Sequence, residues 1–416
     1  TKIKEILKFE LKWVPKTDHY FIYLRLKYNT MSSFNNTEIA FQSKSKFQLY
    51  KAYYLFKVLG NSSISKFGTL ISKVSLKFNL PITRLIKKTV FQQFCGGENL
   101  DECSQTIKSL SKYNIKSILD YSVEGKSTES DFKQTVNEVL INLDLAKNNE
   151  HIPFVVFKCT GIGRAQLLEK INLGHSLTSK EQEEYTRILH RMDKICKKAH
   201  HLMVPVMIDA EESWIQDTID QMTLNLMKVY NKELAIVYNT CQFYRHDRLN
   251  YFKELHLNSI ENGFFIGIKF VRGAYMEKER DRAKKIGYKS PIQKNKLATD
   301  RDFDLALKYA CEHIHGISIC VGSHNEASSL LLIELMEKYK IKKNSPKVYF
   351  AQLLGMSDHI SFNLASNGFN TVKYVPYGPV KEVLPYLIRR AEENTSITGQ
   401  TGRELGLIME EIKRRS

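Results

Sequence analysis

The alternation of strand-like and helix-like segments is the feature that most constrains the fold of this chain. Eight short segments rich in β-branched and aromatic residues follow residue 114. They are Ile115 to Tyr121, Phe154 to Cys159, Val204 to Asp209, Leu234 to Asn239, Ile266 to Val271, Ile317 to Val321, Val348 to Ala351 and Val372 to Val375. Most stretches between these segments have apolar residues at helical spacing. Examples are Glu181 to His201, Glu212 to Tyr230, Asp302 to His315 and Glu326 to Tyr339.

Such alternation produces right-handed βαβ units with a parallel sheet, and eight units favour a closed barrel over an open doubly wound sheet. We therefore predict an α/β fold of the (βα)8 TIM type. The dinucleotide-binding alternative needs G-x-G-x-x-G after a strand, and the nearest candidate, Gly161-Ile162-Gly163, lacks the third glycine.

The flanking regions are predicted to be helical or irregular. Residues 1–37 show no clean period, and Met31 is a candidate start of the native chain. Helical spacing with a break at Pro81 predicts an N-terminal helical region over 38–112. A final helix is predicted from Lys381 to Asn394, so the barrel with its C-terminal helices would occupy 113–416.

Composition excludes several classes of protein. With 43% hydrophobic and 26% charged residues, the 416-residue chain is not a disordered tail. No run reaches the ~18 apolar residues of a spanning helix, so we expect no integral membrane protein. Seven scattered cysteines without a C-x-x-C pair indicate a reducing compartment and no zinc site.

Positive charge is concentrated at the N-terminus. The first hundred residues hold 17 lysines and arginines against five acidic residues, a net charge of +12, and the whole chain carries +17. This asymmetry suits an anionic partner, either a membrane surface or a nucleic acid. A solvated basic face is the other interpretation.

Polar residues at the strand ends are the candidates for chemistry, because a barrel of this type builds its active site at the carboxyl ends of its strands. They are Lys158, Asp209, Gln242, Lys269, Arg272, His324 and Tyr374. Lys158 ends an apolar strand and should face an anion or a structural carboxylate. We prefer Asp209 to Glu211 and Glu212 as the functional carboxylate, because acidic residues at a helix N-terminus are an adequate explanation of the two glutamates.

Two further positions leave alternatives open. Arg272 with the amides of Gly273 and Ala274 can receive a phosphate, or Arg272 is an ordinary surface cation. His324 is a structural group or a ligand, and without a second histidine at metal spacing we expect no metal. The pair Arg389-Arg390 suits a small carboxylate if its helix lies over the barrel mouth, or else forms a solvated face.

With these residues assembled, the chain resembles the proline dehydrogenase family from Glu38 to the C-terminus, most closely its single-domain bacterial form. The motifs are Val-Pro-Val-Met-Ile-Asp-Ala-Glu-Glu (204–212), Tyr-Asn-Thr-Cys-Gln-Phe-Tyr (238–244), Lys-Phe-Val-Arg-Gly-Ala-Tyr (269–275), Gly-Ser-His-Asn-Glu (322–326), Gln-Leu-Leu-Gly-Met (352–356) and Tyr-Leu-Ile-Arg-Arg-Ala-Glu-Glu-Asn (386–394). Their shared order is more specific than any single motif. The resemblance implies a distorted barrel that binds FAD non-covalently.

The resemblance also implies roles for individual residues. Asp209 and Lys269 would be the catalytic residues, with Lys269 next to flavin N5. The substrate-binding residues would be Lys158, Tyr275, Tyr374, Arg389 and Arg390. The cofactor-binding residues would be Ala210, Gln242, Lys269, Arg272, Gly273, Ala274, Ser323 and His324.

The implied activity is oxidation of L-proline to Δ1-pyrroline-5-carboxylate by hydride transfer to FAD, the first step of proline degradation to glutamate. Electrons would pass to a membrane quinone, and a separate pyrroline-5-carboxylate dehydrogenase would use the product. The protein would contact the inner membrane peripherally, from the bacterial cytoplasm or the mitochondrial matrix, without a nucleic-acid partner. The alternatives are a 4-hydroxyproline dehydrogenase and a Schiff-base barrel aldolase that uses Lys158 or Lys269.

Overall fold

A closed barrel of eight parallel strands, in the order β1 to β8, forms the centre of the computed structural model. The structure describes residues 33–59, 83–123, 127–396 and 400–416. The strands are β1 Ile115–Tyr121, β2 Phe154–Lys158, β3 Val206–Asp209, β4 Val237–Gln242, β5 Ile266–Val271, β6 Ile317–Gly322, β7 Val348–Leu353 and β8 Thr371–Tyr377. β8 pairs with β1 from Ile115 opposite Thr371 to Tyr121 opposite Tyr377, which closes the ring. The predicted (βα)8 barrel is confirmed.

Helices surround the barrel, and further helices precede and follow it along the chain. Before the barrel lie α1 Thr37–Ala40, α2 Lys46–Leu59, α3 Thr83–Ile86, a π-helix Lys87–Phe91, α4 Gln92–Phe94 and α5 Leu100–Ser111. Around it lie α6 Glu129–Lys147, α7 Ala165–Asn172, α8 Ser179–Leu202, α9 Ser213–Tyr230, α10 Arg248–Asn262, α11 Met276–Ile286, α12 Lys296–Glu312, α13 Glu326–Lys338 and α14 Asp358–Ser366. After it lie α15 Leu384–Ser396 and α16 Gln400–Arg414. Met31, Pro81 and the spacing predicted between residues 60 and 82 lie outside the described residues.

Local hydrogen bonds explain two strand boundaries that differ from the sequence-based prediction. β4 begins at Val237 rather than Leu234, because the side chain of Asn231 accepts hydrogen bonds from the N–H groups of Ile236 (3.0 Å) and Val237 (2.8 Å). β3 begins at Val206 rather than Val204, because the Val204 N–H donates to the end of α8. At the other end of the strands, Gln242 is the last residue of β4 instead of following it, and Arg272 lies just after β5.

The barrel interior changes from apolar to charged along the strands. Ile118, Val156, Met207 and Val372 belong to one buried apolar cluster inside the barrel. Side chains alternate along a strand, so the residues two positions further on point to the same side. Those residues are Asp120, Lys158, Asp209 and Tyr374, and Lys269 occupies the corresponding position of β5. The core therefore ends where a polar floor begins, at the carboxyl end of the barrel.

The N-terminal and C-terminal helices share a second buried cluster. Phe56 of α2, Phe94 of α4, Leu387 of α15 and Leu407 of α16 are members. α5 packs instead on the main barrel cluster through Cys103, Ile107 and Leu110. The domain boundary at residues 112 and 113 stays a prediction. Within the described ranges, the structure contains no helix with the length and apolar character needed to cross a bilayer.

Asp358 is expected to be important for stability, because it joins these two parts of the protein. Its carboxylate pairs with Lys373 of β8 (2.9 Å) and with Lys44 of the N-terminal region (3.0 Å). Lys373 is fully buried on the outer side of β8. Asp358→Asn leaves that ammonium without its counter-charge and should lower the free energy of unfolding by about 3 kcal/mol.

Urea unfolding measures this change. Asp144→Asn is the matched control, because Asp144 pairs with Lys198 on the surface and its side chain is 58% exposed. Equal effects of the two substitutions would show that the buried ion pair does not stabilise the fold more than a surface pair.

Candidate active site

A cleft of about 2080 Å³ opens at the carboxyl ends of the strands and collects every site residue that the sequence predicts. Its lining includes Lys158, Asp209, Ala210, Gln242, Lys269, Arg272, Gly273, Ala274, Tyr275, Ser323, His324, Tyr374, Arg389 and Arg390. Their individual roles stay predictions, but one cavity brings all of them together. The strand-end rule therefore located the site correctly within the fold.

The floor of the cleft contains a hydrogen-bonded group of three side chains. Lys269 donates to Oδ1 of Asp209, and the Tyr374 hydroxyl donates to Oδ2 of the same carboxylate at 2.7 Å. The Lys269 ammonium also lies 5.0 Å from the centre of the Tyr374 ring. Burial raises the pKa of Tyr374 well above its usual value, and Asp120 and Asp209 raise it further. Tyr374 therefore stays a neutral hydrogen-bond donor.

Asp120 is a second floor carboxylate, which the sequence interpretation missed. It is buried near the end of β1 and accepts a hydrogen bond from the Ser122 hydroxyl. Burial raises its pKa, Lys158 acts in the opposite direction, and Asp209 adds to the upward shift. The same strand-end rule, applied to the correctly predicted β1, would have found this residue.

The arginine pair of α15 forms part of the cleft wall. Arg390 is buried, with its guanidinium carbon 5.0 Å from the centre of the Tyr386 ring. Arg389 is half-buried. Burial raises the pKa of Tyr275, whereas Lys158 and Arg389 act to lower it. Cations from β2 and α15 thus face the same part of the cleft, and the helix lies over the barrel mouth.

The turn after β5 presents backbone to the cleft. Gly273 and Ala274 are exposed, and Gly273 has a φ of +132°, which side chains rarely allow. A Cβ atom at Gly273 would lie 2.5 Å from the Tyr244 ring. Only glycine therefore fits this turn.

Arg272 is fixed beside this turn. Its Nε donates to Asp300 at 2.8 Å, and its two terminal nitrogens donate to the hydroxyls of Ser323 and Ser328 at 2.9 Å. Its guanidinium carbon also lies 4.3 Å from the centre of the Phe303 ring. The residue is a held cation at the cleft, which excludes the interpretation of a solvated surface arginine.

His324 is a partly buried, neutral imidazole just after β6. Its Nδ1 lies 2.9 Å from the Ser357 hydroxyl. Burial lowers its pKa to about 3, and the cations Lys373 and Arg390 add to the shift. Within the described ranges, no group of three or more potential metal ligands occurs.

Glu211 corrects the sequence interpretation. A helix N-terminal charge should lie in solvent, but Glu211 is buried and accepts hydrogen bonds from the Thr160 N–H (3.0 Å) and the Thr160 hydroxyl. Its backbone carbonyl accepts from the Gln242 amide at 2.7 Å. Burial raises the pKa of Glu211 to about 7. No local pattern distinguishes it from Glu212, because its partners are distant in sequence.

Comparison with known proteins identifies related chains. The family model described as proline dehydrogenase matches residues 103–403. Proline dehydrogenase 1, mitochondrial, from Dictyostelium discoideum is 34% identical over 91% of this chain and 74% of its own length. The carbapenem antibiotics biosynthesis protein CarD from Pectobacterium carotovorum subsp. carotovorum is 32% identical, over 77% of this chain and 83% of its own. Hydroxyproline dehydrogenase from Xenopus laevis is 31% identical, over 90% and 88%.

A solved structure has the same fold. Proline utilization A from Bdellovibrio bacteriovorus, inactivated by N-propargylglycine, matches with a TM-score of 0.67 at 21% identity. The match covers 91% of this chain and 40% of that chain, so this chain spans about two fifths of that protein. The family model covers all eight strands of the barrel and reaches α16. This chain belongs to the proline dehydrogenase family.

Proposed function

We propose that this protein oxidises L-proline to Δ1-pyrroline-5-carboxylate with FAD as the electron acceptor. Family membership supports proline oxidation. The observation that carries the finer proposal is the composition of this cleft. It has cations of β2 and α15 on one side and the Asp209–Lys269–Tyr374 group at its floor.

The residues at the cleft fit a flavin dinucleotide. The exposed backbone of Gly273 and Ala274 and the held cation Arg272 are suited to a phosphate group. Gln242, Ser323 and His324 add polar groups to the same cavity. When bound, FAD supplies a two-electron acceptor for the hydride that leaves the substrate carbon.

The protein itself orients the substrate. Lys158, Arg389 and Arg390 would hold the proline carboxylate through charge-assisted hydrogen bonds. Tyr275 and Tyr374 would flank the ring, and Asp209 would keep Tyr374 and Lys269 in place. Oxidation removes a hydride from the carbon next to nitrogen and a proton from nitrogen, so accurate orientation is the main requirement.

Colour provides the direct test of this function. The purified protein should bind FAD and be yellow, and L-proline added without another acceptor should bleach the flavin absorbance. D-proline is the matched control and should bleach it much less. A colourless protein that also fails to bind added FAD would contradict the proposal. Trapping of a carbonyl substrate by borohydride on that protein would instead indicate the aldolase.

Tyr374 is expected to select L-proline over 4-hydroxyproline. The Xenopus laevis relative is a hydroxyproline dehydrogenase by name, so this discrimination needs a test. Asp209 holds the Tyr374 hydroxyl at 2.7 Å. A fixed phenol leaves little room for a hydroxyl on ring carbon C4.

We predict that Tyr374→Ser lowers kcat/KM for L-proline about tenfold and admits trans-4-hydroxyproline. Steady-state kinetics with both substrates measure the change. Tyr54→Ser, on the exposed side of α2, is the control. If the unmodified protein already prefers hydroxyproline, Tyr374 is not the selecting residue.

We further propose that electrons pass to a membrane quinone and that another enzyme oxidises the product. The net charge of +12 in the first hundred residues supports a peripheral membrane contact. Several relatives are named as mitochondrial, which supports a mitochondrial location over a bacterial one.

The protein should therefore sediment with anionic phospholipid vesicles and be released by about 0.5 M salt, since salt screens surface charge. Neutral phosphatidylcholine vesicles are the control. Binding that is undiminished after deletion of residues 1–30 would place the contact outside those thirty residues.

A further inference from the structure

Glu211 joins the ends of three neighbouring strands. Its carboxylate accepts two hydrogen bonds from Thr160, which lies just after β2. Glu211 itself follows β3, and its backbone carbonyl accepts a hydrogen bond from Gln242 at the end of β4. Its own N–H donates to the Gln216 side chain of α9 at 2.8 Å. One buried residue thus connects the loops after β2 and β3 with the end of β4.

The three connected strand ends carry groups that the proposed function needs. Lys158 is the last residue of β2, and only Cys159 separates it from Thr160. Gln242 faces the same cleft from β4. A displacement of the Cys159–Gly161 turn would move the Lys158 ammonium, because the turn continues directly from the strand.

We propose that Glu211, as a carboxylate, is a positioning residue that holds Lys158 for binding of the substrate carboxylate. This inference rests on the proposed function. Glu211 acts through Thr160 and the turn, and the substrate is not its contact. A carboxylate can accept both Thr160 hydrogen bonds, whereas a protonated carboxyl has lost part of that acceptor capacity.

The surroundings of Glu211 make its charge sensitive to pH near neutrality. Burial raises its pKa to about 7, hydrogen bonds from Thr160 and the charge of Lys158 oppose the rise, and Glu212 adds to it. Two further titratable groups that interact with it are the thiol of Cys159 and the phenol of Tyr275. Burial raises the pKa of both, so these two groups stay neutral as Glu211 ionises.

Glu211→Gln tests the inference, because a glutamine side chain offers one acceptor oxygen in place of two. In the unmodified holoenzyme, KM for L-proline should fall as pH rises through about 7. In Glu211→Gln, KM should stay about tenfold higher above that pH, as expected for one lost charge-assisted hydrogen bond, with kcat changed less than KM. Thr160→Val removes only the hydroxyl donor and should give a smaller change in the same direction.

A binding measurement separates positioning from turnover. Cyclopentanecarboxylate keeps the ring and carboxylate of proline but has no amine to oxidise. Its dissociation constant, measured by calorimetry at pH 6 and pH 8, should fall with pH for the unmodified protein and not for Glu211→Gln. Asp144→Asn should match the unmodified protein.

Each outcome has a defined meaning. If the unmodified protein neither oxidises L-proline nor binds FAD, the proposed function is wrong and this inference falls with it. If the unmodified protein is active and Glu211→Gln has the same KM and pH profile, only the inference is overturned. If Glu211→Gln does not fold, the Thr160→Val profile decides, and an unchanged KM in that variant contradicts the positioning role.

Discussion

Arg389→Met is expected to raise KM for L-proline by about 100- to 1000-fold, which corresponds to the loss of a charge-assisted fork worth about 3 to 4 kcal/mol. Arg389 lines the cleft from α15, on the side where Lys158 also faces Tyr275. A methionine keeps much of the length and apolar contact of the side chain but cannot bind a carboxylate. FAD content should change little, because the residues that fit the dinucleotide lie on other elements.

Steady-state kinetics and the flavin absorbance of the purified variant measure the two quantities. Arg187→Met is the matched control, because Arg187 lies on α8, pairs with Glu129 at the surface and does not line the cleft. Unchanged kinetics in Arg389→Met would show that the arginine pair does not bind the substrate. Parallel losses of FAD and activity would assign Arg389 to the cofactor instead.

Asp209→Asn should lower kcat/KM for L-proline by about 100- to 1000-fold, because it removes the counter-charge of a buried lysine at the reaction site. Asp209 accepts hydrogen bonds from both Lys269 and Tyr374. The neutral amide leaves the Lys269 ammonium buried without a carboxylate partner. The amide NH2 group also faces either Lys269 or Tyr374, both of which donate hydrogen bonds to Asp209 in the unmodified protein. Both the charge at the floor and the orientation of Tyr374 then change.

This variant needs a measure of folding beside its kinetics. The thermal midpoint should fall relative to that of Asp144→Asn, because Lys269 loses a buried counter-charge, whereas the variant should still fold and keep its flavin spectrum. A kcat/KM within a few-fold of the unmodified protein would contradict a catalytic role for Asp209. A collapse of folding would assign it to structure.

The spacing of residues along the chain was sufficient to predict the barrel. β1 and β5 have the predicted bounds, because the parallel barrel buries most residues of each segment. The starts of β3 and β4 differed, because hydrogen bonds outside the sheet compete there with the ladder. Such bonds depend on side chains such as Asn231, whose partners no periodicity reveals.

The strand-end rule also located the residues of the cleft, since the carboxyl ends of parallel strands meet at one face. Asp209, Lys269 and Tyr374 were chosen individually, and only the closed barrel makes them one hydrogen-bonded group. Whether Arg272 is a held cation or a surface cation was likewise undecided until Asp300, Ser323 and Ser328 were placed around it.

Glu211 shows a property that could not be predicted from the sequence. Glu211 and Glu212 are adjacent and both precede a helix, so helix N-terminal charge explains both of them in the sequence. Only the burial of Glu211 in the structure distinguishes the two carboxylates. The sequence by itself determined the order of the elements and the residue types at the strand ends, because both follow from local spacing. The tertiary structure alone decided which charges are buried, paired or shifted in pKa, because those properties depend on groups brought together from distant parts of the chain.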